Sequence, residues 1–247
     1  MKKVYALIFI NILIPALLWN HELFLLINGA NSGIADAVIG LISGVGDGLV
    51  AVVLISILML FKLRLALAAL LAFVLSGFIA QVLKRTFDMP RPPTVFGDVP
   101  LLGESLSFHS FPSGHATTNG ALAMLALLIW KSDKRIAWSV FILLIIAAYG
   151  RIYAGVHFPL DVVVGFAIGI ISMWWCDKIS YAWHTETWLQ SEWSWRLPSL
   201  LLTIAATTLA MGYHIQPSTA QPLTFILPIA ALFTLMFSWK NKLRHDR

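Results

Sequence analysis

Three stretches of the 247-residue chain carry side chains suited to gripping and transferring a phosphoryl group. They read Lys84-x6-Arg91-Pro92, then Pro112-Ser113-Gly114-His115, then Arg151-x5-His157-x3-Asp161. Arginine offers a rigid fork of donors matched to phosphate oxygens, and lysine a mobile point charge. Lys84, Arg91 and Arg151 together would neutralise a group carrying about two negative charges. Helix N-termini add unpaired N–H groups and a positive dipole end, both favourable to anions. Ser113 is a good N-cap for a helix starting at that point. Gly114 lets backbone approach a ligand closely, and Pro159 suits a first helical turn.

Binding alone does not call for two histidines and a carboxylate. His157 and Asp161 stand four apart, so on a helical turn they share one face and can hydrogen-bond. A carboxylate on one ring nitrogen fixes the tautomer and frees the lone pair of the other. His157 then suits a nucleophile that takes the phosphoryl group, with Asp161 stabilising the imidazolium that develops. His115 suits the general acid that protonates the departing oxygen and later activates water. Lys84, Arg91, Ser113, Gly114 and Arg151 would hold the equatorial oxygens, where transition-state charge resides. This chemistry needs no metal or other cofactor.

Elements must bring these stretches together. The chain is 59% hydrophobic and 12% charged, with a mean hydropathy of +0.82. Soluble domains carry roughly twice that charge, so a soluble globular enzyme, a disordered chain and a free nucleic-acid binder are excluded. The expected fold is an all-α polytopic transmembrane bundle, since only helices and closed barrels satisfy their backbone in hydrocarbon. Apolar runs predict spans near 4–26, 48–61, 65–83, 116–130, 136–150, 159–176, 197–213 and 222–239. The first reads as an uncleaved signal anchor. The Gly-rich segment from Asn31 to Asp47 reads as an amphipathic interfacial helix leading into the second span. Residues 1–176 would form a six-span core, and 177–247 a cytoplasmic loop with two additional spans. Cys176 is the sole cysteine, which excludes an intramolecular disulfide and a cysteine metal cage.

With a cytoplasmic N-terminus, all but four of the 17 Lys and Arg residues fall on the cytoplasmic side, a strong positive-inside bias. The exceptions are Lys84, Arg85, Arg91 and Arg151. All lie on the outer side, and three of them belong to the clusters above. The same count sends the three clusters to one membrane face. Among other polar residues, Asp36 and Asp47 read as caps or turn residues and Asp88 as helix-end polarity. Asp98, Glu104 and His109 read as solvated loop residues, with contact to a headgroup or to His115 as the alternative. Gly44 and Gly48 form a small-x3-small pair suited to close helix packing.

The three ordered motifs, spanning residues 84–161, resemble those of the type 2 phosphatidic acid phosphatase superfamily. These are integral-membrane lipid phosphatases that share an active site with vanadium haloperoxidases. The resemblance implies His157 as nucleophile, Asp161 as its partner and His115 as acid/base. It implies Lys84, Arg91, Ser113, Gly114 and Arg151 as phosphate ligands. One position departs, since relatives usually place serine before the third-motif arginine and this chain has Gly150. The expected activity is hydrolysis of a lipid phosphomonoester or diphosphate, with undecaprenyl diphosphate the preferred substrate. The expected setting is the periplasmic face of a bacterial inner membrane, with both termini cytoplasmic. Alternatives are a phosphatidylglycerophosphate or phosphatidate phosphatase, a lipid A phosphatase, a lipid phosphotransferase and, outside enzymes, an anionic-lipid transporter. The partners implied are the lipid substrate and the bilayer, with no nucleic acid.

Overall fold

The computed structural model describes residues 2–30, 32–183, 185, 188 and 191–245, and Asn31 lies outside them. The helices are α1 (Lys2–Leu18), α2 (Asn20–Asn28), α3 (Gly33–Ser43), α4 (Gly48–Met59), α5 (Leu63–Phe87) and α6 (Pro92–Phe96). They continue with α7 (Gly114–Ile129), α8 (Lys134–Tyr153), α9 (Pro159–Ser180), α10 (Trp193–Ala210) and α11 (Leu223–His245). Among the described residues there is no strand. Four segments are long and apolar enough to cross a membrane, or six if each of two bent helix pairs is one span. Large apolar side chains such as Phe78, Ile171 and Phe233 face outward on these helices, as befits a lipid-facing rather than a water-facing surface.

Helices form at all eight predicted spans, but one expectation changes. The span expected over 4–26 is broken by a 90° bend between α1 and α2, at Trp19, whose backbone is not helical. Asn20 begins α2 and accepts a hydrogen bond from the Leu160 N–H at 2.9 Å, which ties α2 to the first turn of α9. The helix expected over the Gly-rich segment is α3, and a 62° bend joins it to α4. It packs against α8 within the bundle, with Gly40 and Ser43 buried. Asp47 caps α4 by accepting from the N–H groups of Leu49 and Val50.

The bundle is organised around α7, in which ten residues from Ala116 to Ala126 are buried on every side. A helix buried all round needs no apolar stripe. It sits between α5, α8 and α9, and its approach to α9 depends on small residues. A Cβ added to Gly120 would stand 2.0 Å from the Phe166 carbonyl oxygen, and one on Gly169 would stand 2.0 Å from that of Thr117. The two backbones therefore pack nearly in contact, which fixes His115 at the start of α7 relative to Asp161 at the start of α9. At the other end of the bundle, Arg64 of α5 pairs with buried Asp177 of α9 at 3.0 Å. The same guanidinium donates to Ser180 and lies 4.2 Å above the Tyr181 ring.

Candidate active site

The ends of α5 and α8 and the starts of α7 and α9 meet at one end of the bundle, and residues 107–113 pass among them as a strap. Its backbone is tied down on both sides. The Arg91 N–H donates to the Ser107 carbonyl at 2.9 Å, the Ser110 N–H to the Met89 carbonyl at 3.0 Å, and the Ser113 N–H to the Asp161 carbonyl at 3.0 Å. His109 adopts the left-handed conformation, with φ of 59°, which costs of order 1–3 kcal/mol for a non-glycine residue. That turn aims successive carbonyls at the cations. Lys84 Nζ donates to the His109 carbonyl at 2.6 Å and to that of Ser110 at 3.4 Å. Arg91 donates to the carbonyls of Phe108 at 3.1 Å, Val156 at 3.1 Å and His109 at 3.4 Å.

His157 lies between a carboxylate and a cation. Its Nδ1 is 3.4 Å from Asp161 Oδ2, and its Nε2 is 3.4 Å from Arg91 Nη1. The same Asp161 oxygen accepts from Ser110 Oγ at 2.5 Å and from the Phe158 N–H at 2.9 Å. Burial holds the His157 imidazole well below the usual histidine range, and the charges of Arg91, Lys84 and Arg151 push the same way. The ring is therefore neutral at neutral pH. With Nδ1 carrying its proton toward Asp161, the Nε2 lone pair points to the cationic side.

The remaining predicted site residues belong to the same cluster. His115 lies within electrostatic reach of Arg151, His157, Arg91 and Lys84. Its Nε2 is buried without a hydrogen-bond partner among the described residues. Ser113 caps α7, accepting from the Ala116 N–H at 3.4 Å. A Cβ on Gly114 would meet nothing within 4 Å, so the start of α7 borders open space. Arg151 is buried and donates to the Gln216 carbonyl at 3.1 Å, and its Nε has no partner among the described residues. All eight predicted residues thus gather at one end of the molecule, with Lys84, Arg91, His157, Asp161 and Ser113 linked through the strap.

Four participants were not foreseen. Ser110 bridges toward both His157 and Asp161, and nothing in its sequence neighbourhood marks it. His109 is exposed, as expected of a solvated loop residue, with its ring 2.9 Å from the equally exposed Asp88, but its carbonyl accepts from Lys84. Gln216 comes from the segment between the last two helices. Ser43 explains the departure at Gly150, because a Cβ there would stand 2.8 Å from Ser43 Cβ and 3.1 Å from its Oγ. The space of the expected motif serine is filled by a serine from α3. Gly155, inside the third motif, has φ of 79° and sits where a Cβ would be 2.3 Å from the Pro100 carbonyl oxygen. That position requires glycine.

Comparison with known proteins agrees with this arrangement. Residues 65–185 match the family model of the PAP2 superfamily. The crystal structure of Aquifex aeolicus LpxE superposes with a TM-score of 0.59 at 36% identity, covering 67% of this chain and 96% of that one. An undecaprenyl-diphosphatase of Sulfolobus acidocaldarius is 29% identical over 156 residues, 61% of this chain and 73% of its own. A lipid A 4'-phosphatase of Porphyromonas gingivalis is 27% identical over 180 residues, 68% of this chain and 75% of its own. The family-model match and the 36%-identical structure, covered over 96% of its length, show that the chain belongs to the PAP2 superfamily.

Proposed function

We propose that this chain is a membrane lipid phosphatase that hydrolyses a lipid phosphomonoester or diphosphate through a phosphohistidine intermediate, with undecaprenyl diphosphate as the substrate of first choice. One observation carries the mechanism: the two ring nitrogens of His157 face Asp161 on one side and Arg91 on the other. His157 Nε2 attacks phosphorus, forming a P–N bond as the P–O bond to the leaving group breaks. His115, protonated once the anionic phosphate enters its cationic surroundings, gives that proton to the departing oxygen. In the second half, His115 takes a proton from water, whose oxygen attacks phosphorus and displaces His157. Inorganic phosphate leaves in either case, the lipid having departed in the first half as the alcohol or, from a diphosphate, as the lipid monophosphate. Lys84, Arg91, Arg151, Ser113 and the Gly114 N–H hold the equatorial oxygens throughout. Thr118 lies one turn below Gly114 and donates to its carbonyl.

The substrate choice draws support from the undecaprenyl-diphosphatase relative. The Porphyromonas relative favours lipid A as the second reading. Phosphate release by purified protein from undecaprenyl diphosphate, phosphatidate, phosphatidylglycerophosphate and lipid A separates them. His157→Ala should lower turnover by at least 10³-fold, the scale of losing a covalent nucleophile, while thermal unfolding stays near native. Vanadate, which mimics the pentacoordinate phosphorus, should inhibit the native protein. Undiminished release by His157→Ala would overturn the mechanism.

A further inference from the structure

The family match ends at residue 185, yet a later segment touches a cation of the site. Arg151 Nη1 donates to the Gln216 carbonyl at 3.1 Å. Gln216 belongs to the loop between α10 and α11, and that loop is held by several independent contacts. Gln221 donates to the Tyr213 carbonyl at 2.8 Å and accepts from the Ile215 N–H at 3.2 Å. The Tyr213 hydroxyl donates to Asp47 at 3.2 Å. Ile215 and Ala220 are buried against Val50, Val53 and Leu209. On α3, a Cβ at Gly40 would stand 1.9 Å from Thr219 Oγ1, and one at Gly44 would stand 2.4 Å from Ala220 Cβ. Two glycines one turn apart thus form the seat on which the loop rests. The Gln216 side chain turns the other way, its Oε1 only 2.8 Å from where a Cβ on Gly103 would be.

We infer that the 211–222 loop is a working part of the phosphate site, with Gln216 a positioning residue whose carbonyl aims the Arg151 guanidinium. The inference rests on the proposed phosphatase reading. A guanidinium has five donors in a fixed plane. Fixing Nη1 on a main-chain carbonyl sets the direction of the rest, including the unpartnered Nε. Hydrogen bonds to charged groups are among the stronger ones, and a carbonyl spends no negative charge against the phosphate. The α10–α11 hairpin therefore controls transition-state binding from outside the three motifs.

The test moves the loop without touching any site residue. Gly40→Ala sets a methyl against Thr219 and Pro217. Gln221→Ala removes the two side-chain bonds that close the loop. Each should raise the inhibition constant for vanadate about tenfold and lower kcat/KM about tenfold, a change of about 1.4 kcal/mol. Gly77→Ala, on α5 where a Cβ meets nothing within 4 Å, should leave both unchanged. Adding Thr219→Ala to Gly40→Ala removes the obstructing hydroxyl and should restore vanadate binding, which a general loss of stability would not allow. Should Gly40→Ala fail to accumulate as folded protein, Gln221→Glu decides the matter, since it keeps the acceptor for Ile215 and loses the donor to Tyr213. Folded loop variants with vanadate inhibition and kcat/KM within twofold of native would overturn this inference alone. A native protein that releases no phosphate from any lipid would instead overturn the phosphatase reading.

Discussion

A single oxygen, Asp161 Oδ2, serves the Ser110 hydroxyl, the Phe158 N–H and His157 Nδ1. Hydrogen bonds to charged groups contribute roughly 1.5–3 kcal/mol each, so this carboxylate is locked before any substrate arrives. The lock sets the proton on His157 Nδ1 and leaves the Nε2 lone pair free. Burial and three facing cations keep that ring neutral, and the sign of the pH effect follows. The unfolded chain protonates this histidine near pH 6.5, whereas the folded chain does so only at distinctly lower pH. Between those values the unfolded state binds more protons, so His157 subtracts stability as pH falls below about 6.5. Over the same window the proposed nucleophile stays unprotonated. A histidine NMR titration of the unliganded protein, assigned with His157→Gln, should show the His157 ring still neutral at pH 6. A His157 signal titrating at or above 6.5 would contradict the electrostatics of the site.

Between elements, the exchange of serine for glycine at the α3–α8 contact is the sharpest case. Ser43 fills the space beside Gly150, so Gly150→Ser alone should destabilise by about 1–3 kcal/mol through overpacking. Gly150→Ser combined with Ser43→Gly should recover most of that loss, a coupling that a double-mutant cycle on thermal unfolding measures directly. Additive effects would mean that the two positions do not share one space. The same contact marks what sequence could and could not convey. The eight motif residues, the Ser113 and Asp47 caps and Pro159 in the first turn of α9 were legible, because each is a local pattern with a local cause. The Gly120, Gly165 and Gly169 seam between α7 and α9 was only half legible. Gly165-x3-Gly169 is a small-x3-small pair, but Gly44 and Gly48 share that spacing, and spacing alone does not say which pair meets a neighbouring helix. Ser110, Ser43 and Gln216 act on partners 51, 107 and 65 residues away in sequence, and no periodicity carries such information. The bend at Trp19 escaped for the same reason, since Asn20 is held by α9 rather than by its neighbours.

Across the whole molecule, the two ends of the bundle differ in kind. One end collects Lys84, Arg91 and Arg151, with buried Asp161 and Asp47 as their acidic neighbours. The other carries Arg64 on buried Asp177 and the bulk of the chain's remaining Lys and Arg, which the positive-inside rule assigns to the cytoplasm. On the proposed topology that end is the outer one, and its cations stand against the positive-inside trend because they would ligate phosphate rather than set orientation. This reading fixes where each loop must lie. Ser105, exposed beside the site, and Ser132, exposed in the loop between α7 and α8, stand at opposite ends of the bundle. Cys176 is buried, so it contributes little background to thiol labelling. In intact spheroplasts, a membrane-impermeant maleimide should label Ser105→Cys, and Ser132→Cys only after permeabilisation. Both substitutions are small and uncharged, so neither disturbs the charge balance that sets topology. The reverse labelling pattern would put the site on the cytoplasmic side. The excess of basic residues would then face outward, and the three exceptional cations would lose their explanation.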